Sequence, residues 1–170
     1  MTTLISEAAL QARVKEVAQQ IRADAGAEPI LLLGVLKGAF MFMADLMRQI
    51  EGDVTCDFIS VSSYIGTTSS GEVQIRKDVD SPLEGRRVII VEDIVDTGLT
   101  LHYLQGILQN RNPSSLQTAC LLSKPSRRKT EVPVDYVGFE IDDKFVVGYG
   151  LDFNERYRNL PFIGVVEGGH

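Results

Sequence analysis

Four consecutive β-branched residues, Val88 to Val91, run straight into two acids, Glu92 and Asp93, and no other feature constrains this chain more. With no polar residue to break the run, a strand here carries apolar side chains on both faces, the pattern of a strand inside a parallel sheet. Adjacent carboxylates at the end of such a strand are costly to desolvate unless solvent, a metal or a polyol meets them. Packing gives no reason for them, since acids are among the residues least often buried. After two more apolar residues come Asp96, Thr97, Gly98, Leu99 and Thr100, and then an amphipathic run. A small, hydroxyl-bearing turn that opens a helix offers backbone N–H groups and hydroxyls to a phosphate. Open α/β sheets hold their ligands at that end of the strands. Acids for sugar hydroxyls or a metal, followed by a phosphate cradle, point to a ribose phosphate.

The rest of the chain alternates strand and helix signals, which predicts a parallel-centred α/β sheet. Leu10, Val14, Val17 and Ile21 recur at helical spacing and place a helix over about Glu7–Asp24, capped by Ser6 and ended near Gly26 and Pro29. Ile30–Val35 reads as a buried strand, Gly38 opens an apolar helix to Ile50, and Val54–Ser63 is β-rich. Arg86–Asp93 is the central strand, followed by a helix of about Thr100–Asn110 with Leu101, Leu104, Ile107 and Leu108 as its apolar stripe. Further strands are expected at Leu116–Leu122 and Val134–Ile141, separated by a basic loop from Lys124 to Pro133. Short strands and a turn of helix complete the chain to Val166.

With 170 residues and no linker or internal repeat, one domain over 1–170 is expected. The formal net charge of −6 and a pI near 4.9 argue against broad nucleic-acid binding. Cys56 and Cys120 lie in apolar, strand-like runs and are expected to be small buried hydrophobes, with no metal spacing around them. No signal-peptide pattern opens the chain and no apolar run approaches the ~18 residues of a membrane span, so no membrane partner and a cytoplasmic location are expected.

The segment from Val88 contains neither GxxxxGK[ST] nor GxGxxG, so it is neither a Walker loop nor a dinucleotide fingerprint. It resembles the phosphoribosyl pyrophosphate (PRPP) signature of the type I phosphoribosyltransferases: apolar strand, two acids, two apolar residues, then D-T-G-x-T. Four more blocks resemble the hypoxanthine-guanine branch in its short bacterial form. They are LKGAFMF at Leu36–Phe42, SSYIGTTSSGEV at Ser62–Val73, the lysine after a strand at Lys124, and VGFEIDDKFVVGYGLDFNERYR at Val137–Arg158. The match runs in order over roughly residues 30–166.

This resemblance implies a type I phosphoribosyltransferase fold, a parallel-centred twisted sheet flanked by helices, with a small hood made from the N- and C-terminal segments. It implies a purine-salvage transferase using Mg²⁺, PRPP and a 6-oxopurine such as hypoxanthine or guanine, working as a homodimer or homotetramer. By the same resemblance Glu92, Asp93, Asp96, Thr97, Gly98, Leu99 and Thr100 hold the ribose phosphate, with Asp96 as the acid–base group. Lys37, Gly38 and Arg158 hold pyrophosphate, and the family has a cis peptide at the position matching Leu36–Lys37. Lys124, Phe145 and Val146 bind the purine, by a donor to the 6-oxo group, a stacked ring and backbone contacts. Glu92, Asp93 and Asp152 serve the metal. Ser63 and Tyr64 belong to a flexible active-site lid over about 63–73, which would exclude water.

On pattern alone, Lys124 is a solvated loop lysine, Phe145 a core aromatic and Lys37 a solvated turn lysine; the resemblance moves each into the site. An ammonium has donors and no acceptor, so Lys124 would admit 6-oxopurines and disfavour adenine. His102 reads as an exposed helix residue. Two other readings remain from the sequence: a transferase preferring xanthine or guanine, and a regulator that senses PRPP or nucleotides while binding RNA or DNA. The acidic balance and the full set of purine-site residues speak against the regulator.

Overall fold

A computed structural model describes residues 1–63 and 72–167. In chain order they form β1 (Thr2–Ile5), α1 (Glu7–Ala25), β2 (Ile30–Leu36), α2 (Phe40–Gln49), β3 (Val54–Ser63), β4 (Val73–Lys77), β5 (Arg87–Val95), α3 (Leu99–Gln109), β6 (Ser115–Ser123), β7 (Tyr136–Glu140), β8 (Val146–Val147) and β9 (Ile163–Val165). Tyr64 and the polar segment after it, most of the expected lid, lie outside the described residues.

Alternation along β5 decides the layering. Ile89 and Val91 enter one apolar cluster with Leu10, Val14, Ile21, Phe42 and Leu46 of α1 and α2, while Val88 and Ile90 enter a second with Leu101, Leu104 and Leu108 of α3. All four strand residues are fully buried, as two helix-covered faces require. The main sheet has the order β4–β3–β2–β5–β6–β7, parallel from β3 to β7 with β4 added antiparallel at the edge. A second sheet, β1–β9–β8, is antiparallel and joins residues near the two ends of the chain.

Local chemistry explains the element ends. The Ser6 side chain accepts from Ala9 N–H and caps α1, and Gly26, at φ 62°, ends it while donating to Arg22 O. Helix α2 begins at Phe40 rather than Gly38, because Lys37, Gly38 and Ala39 are used by the turn. Strands β1 and β4 carry no distinct signal in the sequence; β1 is mostly exposed, and β4 alternates buried and exposed residues beside the polar segment.

Two expectations are corrected. No helical turn forms between β8 and β9; tight turns with Asn154, Glu155 and Tyr157 at positive φ occupy that stretch. Cys56 is exposed although it shares a face with the packed Val54 and Phe58, because it lies in the part of β3 that β4 does not pair. Cys120 is the buried hydrophobe expected, and burial pushes its thiol up to about 12. No described helix is long and apolar enough to cross a membrane.

Leu104 is fully buried under the sheet, so Leu104→Ala is expected to cost about 2–5 kcal/mol, read as a lower urea midpoint at unchanged slope. Ser6→Ala removes the α1 cap and is expected to cost ~1 kcal/mol in the same titration.

Candidate active site

The connection β2–α2–β3 carries the chain to one side of the sheet and β5–α3–β6 to the other, so β2 and β5 flank the point where connections part. A crevice outside the carboxyl ends of the strands forms at such a point. At the end of β2 the Leu36–Lys37 peptide is cis, and Gly38 follows. A Cβ at Gly38 would overlap the carboxylate of Asp93, at the end of β5, and a Cβ at Gly150 would overlap the Gly38 carbonyl. Glycine is required at both positions because three chain segments close on one another there. Gly148, Tyr149 and Gly150 all have positive φ, and the Tyr149 hydroxyl donates to Asp45 of α2, which holds this turn against the helix.

Glu92 is buried, and desolvation followed by the neighbouring charge of Asp93 pushes its carboxyl well above the usual range. Asp93 is also pushed up by burial, partly offset by the Ile94 N–H that donates to its Oδ1 at 2.7 Å and by Arg158; Asp152 adds to the rise. Buried acids that repel one another are the setting a cation relieves. Among the described residues, no three His, Cys, Asp or Glu side chains form a metal cage of their own. The donors fit Mg²⁺ in another way, since that ion takes one or two carboxylates and completes its shell with water and substrate phosphate oxygens. Glu92, Asp93 and Asp152 supply hard oxygens of that kind.

Beyond these acids, a cavity of about 240 Å³ is lined by Glu92, Asp96, Thr97, Gly98 and Thr100. Gly98 starts α3 at φ 85° and no side chain caps the helix from it. Only Thr97 Oγ1 reaches back, taking the Leu99 N–H at 3.3 Å. A side chain at Gly98 would be strained by φ and would press on Val132 and the Thr130 carbonyl. The turn therefore presents a helix N-terminus to the cavity, the arrangement that binds a phosphate.

Lys124 follows β6 and is 8% exposed, with Nζ donating to Asp143 Oδ1 at 3.3 Å. The basic segment after it is mostly exposed, as its composition predicts, but its arginines are engaged by the strand ends. Pro125–Arg127 is a 3₁₀ turn, and Arg127 Nε donates to Asp96 Oδ1 at 2.9 Å. Arg128 donates to the carbonyls of Val95 and Asp96 at 3.0 and 2.9 Å and to Ser123 Oγ at 2.8 Å. With Lys124 N–H on Val95 O and Lys129 N–H on Thr97 O, the two strand-end turns are sewn together.

Phe145 is half-buried and meets Phe153 edge to face, ring centroids 5.5 Å apart. Val166 N–H donates to the Phe145 carbonyl, and Val146 is paired with Val165. Backbone groups alternate sides in an antiparallel pair, so the Val146 N–H and C=O point to the free edge of β8, away from β9. Opposite the acids, Arg158 donates to Gly150 O, and its Nη2 lies 3.2 Å from Glu155 Oε1 and 3.6 Å from Asp152 Oδ1. Its Nε is buried with no partner among the described residues. Lys37 Nζ is 3.1 Å from Glu155 Oε2, and these two cations hold the Glu155 carboxyl below the usual range.

The strand ends thus bring together Gly38, Asp93, Gly150, Asp152 and Arg158, with Lys37 joined to Arg158 through Glu155. They also bring together Asp96 and Lys124, through Arg127 and Asp143. Sequence reasoning missed Arg127, Arg128, Asp143 and Glu155. The last two stood inside a matched block without a role of their own, and the two arginines were hidden in a run of basic residues. Ser63 ends β3, and Tyr64 lies outside the described residues.

Comparison with known proteins agrees with this geometry. The model of the phosphoribosyl transferase domain matches residues 3–154. The hypoxanthine-guanine phosphoribosyltransferase of Bacillus subtilis (strain 168) is 51% identical over 165 residues, covering 96% of this chain and 92% of that protein. The crystal structure of a hypoxanthine-guanine phosphoribosyltransferase from Bacillus anthracis, with HEPES in its active site, superposes with a TM-score of 0.96 at 52% identity over 98% of each chain. That of the Trypanosoma cruzi hypoxanthine phosphoribosyltransferase in complex with its product IMP gives 0.93 at 43% identity, covering 99% of this chain and 95% of that one.

Carboxyls raised by folding favour the native state at low pH and lose that contribution as pH rises through their folded-state values. Glu92→Gln is therefore expected to raise the melting temperature at pH 7 in metal-free buffer. The gain should shrink as pH falls toward the ordinary carboxylate range, where Glu92 is protonated in both states. A differential scanning series from pH 4 to pH 8 checks both the sign and the window.

Proposed function

This chain belongs to the phosphoribosyl transferase family, in its hypoxanthine-guanine branch, and on that premise we propose how its residues perform the reaction. The reaction is a purine-salvage step: a pentosyl transfer of the 5-phosphoribosyl group from PRPP to hypoxanthine or guanine, giving IMP or GMP and pyrophosphate. The observation that carries the assignment of roles is the α3 N-terminus facing a cavity beside the buried Glu92, whose carboxyl the neighbouring Asp93 charge helps to raise.

The 5′-phosphate sits on the Asp96–Thr100 turn, taking N–H groups from the start of α3 and the hydroxyls of Thr97 and Thr100. Glu92 and Asp93 face the ribose hydroxyls. Glu92, Asp93 and Asp152 would hold Mg²⁺ together with substrate oxygens, and the ion would supply positive charge for the leaving pyrophosphate. Lys37 and Arg158 add fixed charge there, and Gly38, with no side chain, lets the backbone approach closely. A site in which such charge is already in place stabilises the oxocarbenium-like transition state without reorganising.

The base stacks on Phe145, offers its 6-oxo group to Lys124 and meets the free N–H and C=O of Val146 along its edge. Attack by the purine nitrogen on the anomeric carbon breaks the bond to pyrophosphate. The carboxylate of Asp96 takes the proton released at the imidazole ring of the base, within the reach that general base catalysis needs. Ser63 and Tyr64 belong to the segment that would cover the reacting centre. A cytoplasmic homodimer or homotetramer that binds neither nucleic acid nor membrane completes the reading.

A spectrophotometric assay with PRPP, Mg²⁺ and, separately, hypoxanthine, guanine, xanthine and adenine tests this. Turnover of the first two with adenine inert is expected, and the relative rates give the preference among the oxopurines. PRPP binding with no turnover of any base would overturn the catalytic reading in favour of a regulator. Asp96→Asn is expected to lower kcat by roughly 10²–10⁴ with little change in the Kd for PRPP; unchanged turnover removes Asp96 from the mechanism. Lys124→Gln is expected to relax discrimination against adenine, which a hydrogen-bond mismatch can make as large as ~10⁴.

A further inference from the structure

Lys124 brings a positive charge to a position that is nearly closed to solvent, with three N–H donors and no acceptor. A cation so placed needs a counter-charge, and it finds one at the rim, where the partner side chain is half exposed. Asp143 Oδ1 is that partner, 3.3 Å from Nζ. The other oxygen of Asp143 lies 3.8 Å from Arg127 Nη1, and Arg127 Nε binds Asp96 Oδ1. Charges therefore alternate from Asp96 through Arg127 and Asp143 to Lys124. Both ends of this row are groups assigned to the base, and neither Arg127 nor Asp143 has been given a role in the transfer.

The row is anchored at its ends. Backbone bonds from Lys124 N–H and Lys129 N–H tie the Lys124–Lys129 segment to the Val95–Thr97 turn. Asp143 lies two residues before Phe145, in a tight turn where Lys144 N–H donates to Asp142 O at 2.8 Å. The same turn thus carries both the aromatic ring for the base and the counter-ion of the lysine that reads it. A lysine has a long stem with several rotatable bonds, and its discrimination depends on where its N–H groups point. A lysine free to swing away from an amino group would penalise adenine little, whereas one fixed on a carboxylate must leave the mismatch unpaired.

We propose that Asp143 is a specificity-determining positioning residue: it fixes the direction of the Lys124 N–H donors toward the 6-oxo group, and Arg127 holds it in register with Asp96. The inference rests on the reading of Lys124 as the group that recognises the base. Asp143 touches neither substrate; it acts through Lys124.

The test uses the full chain with Asp143→Asn, Asp143→Ala and Asp143→Glu, assayed with PRPP and Mg²⁺ against hypoxanthine and adenine. For Asn and Ala, the KM for hypoxanthine rises and the hypoxanthine-to-adenine ratio of kcat/KM falls by about tenfold, the scale of one misdirected hydrogen bond. The KM for PRPP stays unchanged, and Glu restores part of the ratio. An unchanged ratio in both Asn and Ala variants overturns the proposal. So does a parallel rise of both KM values with a lowered melting temperature, which would mark a purely structural role. Lys124→Gln, run beside them, separates the two levels of the argument. If it leaves selectivity intact, the reading of Lys124 fails; if it abolishes selectivity while the Asp143 variants keep it, only the role of Asp143 fails.

Discussion

The structure turns on the contact between the Asp93 carboxylate and the backbone at Gly38. A carboxylate pressed against a backbone at the end of a buried strand is an expensive arrangement, and the folded state bears that cost through the raised carboxyls of Glu92 and Asp93. The contact closes the gap between β2 and β5 where the sheet connections diverge. It also brings Gly150 onto the Gly38 carbonyl, and with Gly150 comes Arg158. Two glycines, neither with any chemistry of its own, thereby decide that acids from one strand and a cation from a distant turn share one crevice. Stability given up at such a place is a common cost of a functional site, and the two helix-covered faces of β5 are what offset it.

The fold was legible where the hydrophobic pattern was long and unambiguous. The run at Val88–Val91 specified a strand buried on both faces, and the period of Leu10, Val14, Val17 and Ile21 specified α1 to within a residue at its end. Strands β1 and β4 were not legible, because β1 is fixed by pairing with the distant β9 and β4 by pairing with its neighbour β3 rather than by burial of a continuous face. The turns between β8 and β9 are short and depend on positive φ at non-glycine residues, Asn154, Glu155 and Tyr157, which no composition rule anticipates.

The candidate site divides in the same way. Residues that stand in a motif of unusual chemistry, such as Glu92, Asp93 and the Asp96–Thr100 turn, declared themselves through the cost of placing them at a strand end. Lys124 and Phe145 were ambiguous until a family pattern was laid over them, since a lysine in a basic run and an aromatic near a strand both have ordinary explanations. Arg127, Arg128 and Asp143 were invisible for a physical reason. Their roles come from which partner each meets across the gap between β5 and β6, and that pairing is a property of three-dimensional packing with no local signature.

The second sheet has a consequence for how the molecule moves. Its strands are two to four residues long, and it pairs Thr2 with Val165 and Val146 with the same residue. Closing Thr2 onto Val165 joins positions far apart along the chain, and so short a ladder depends on the burial of Val146, Val147 and Ile163, since β1 is mostly exposed. Phe145 is attached to that ladder through Val166, whereas the phosphate turn belongs to the central sheet. The ring on which a base would stack is thus tied to a ladder of two- to four-residue strands, and the phosphate cradle to the long central sheet. The two ends of the site are therefore held by different sheets, so a disturbance of the small sheet would reach the base platform before it reached the sugar-phosphate cradle.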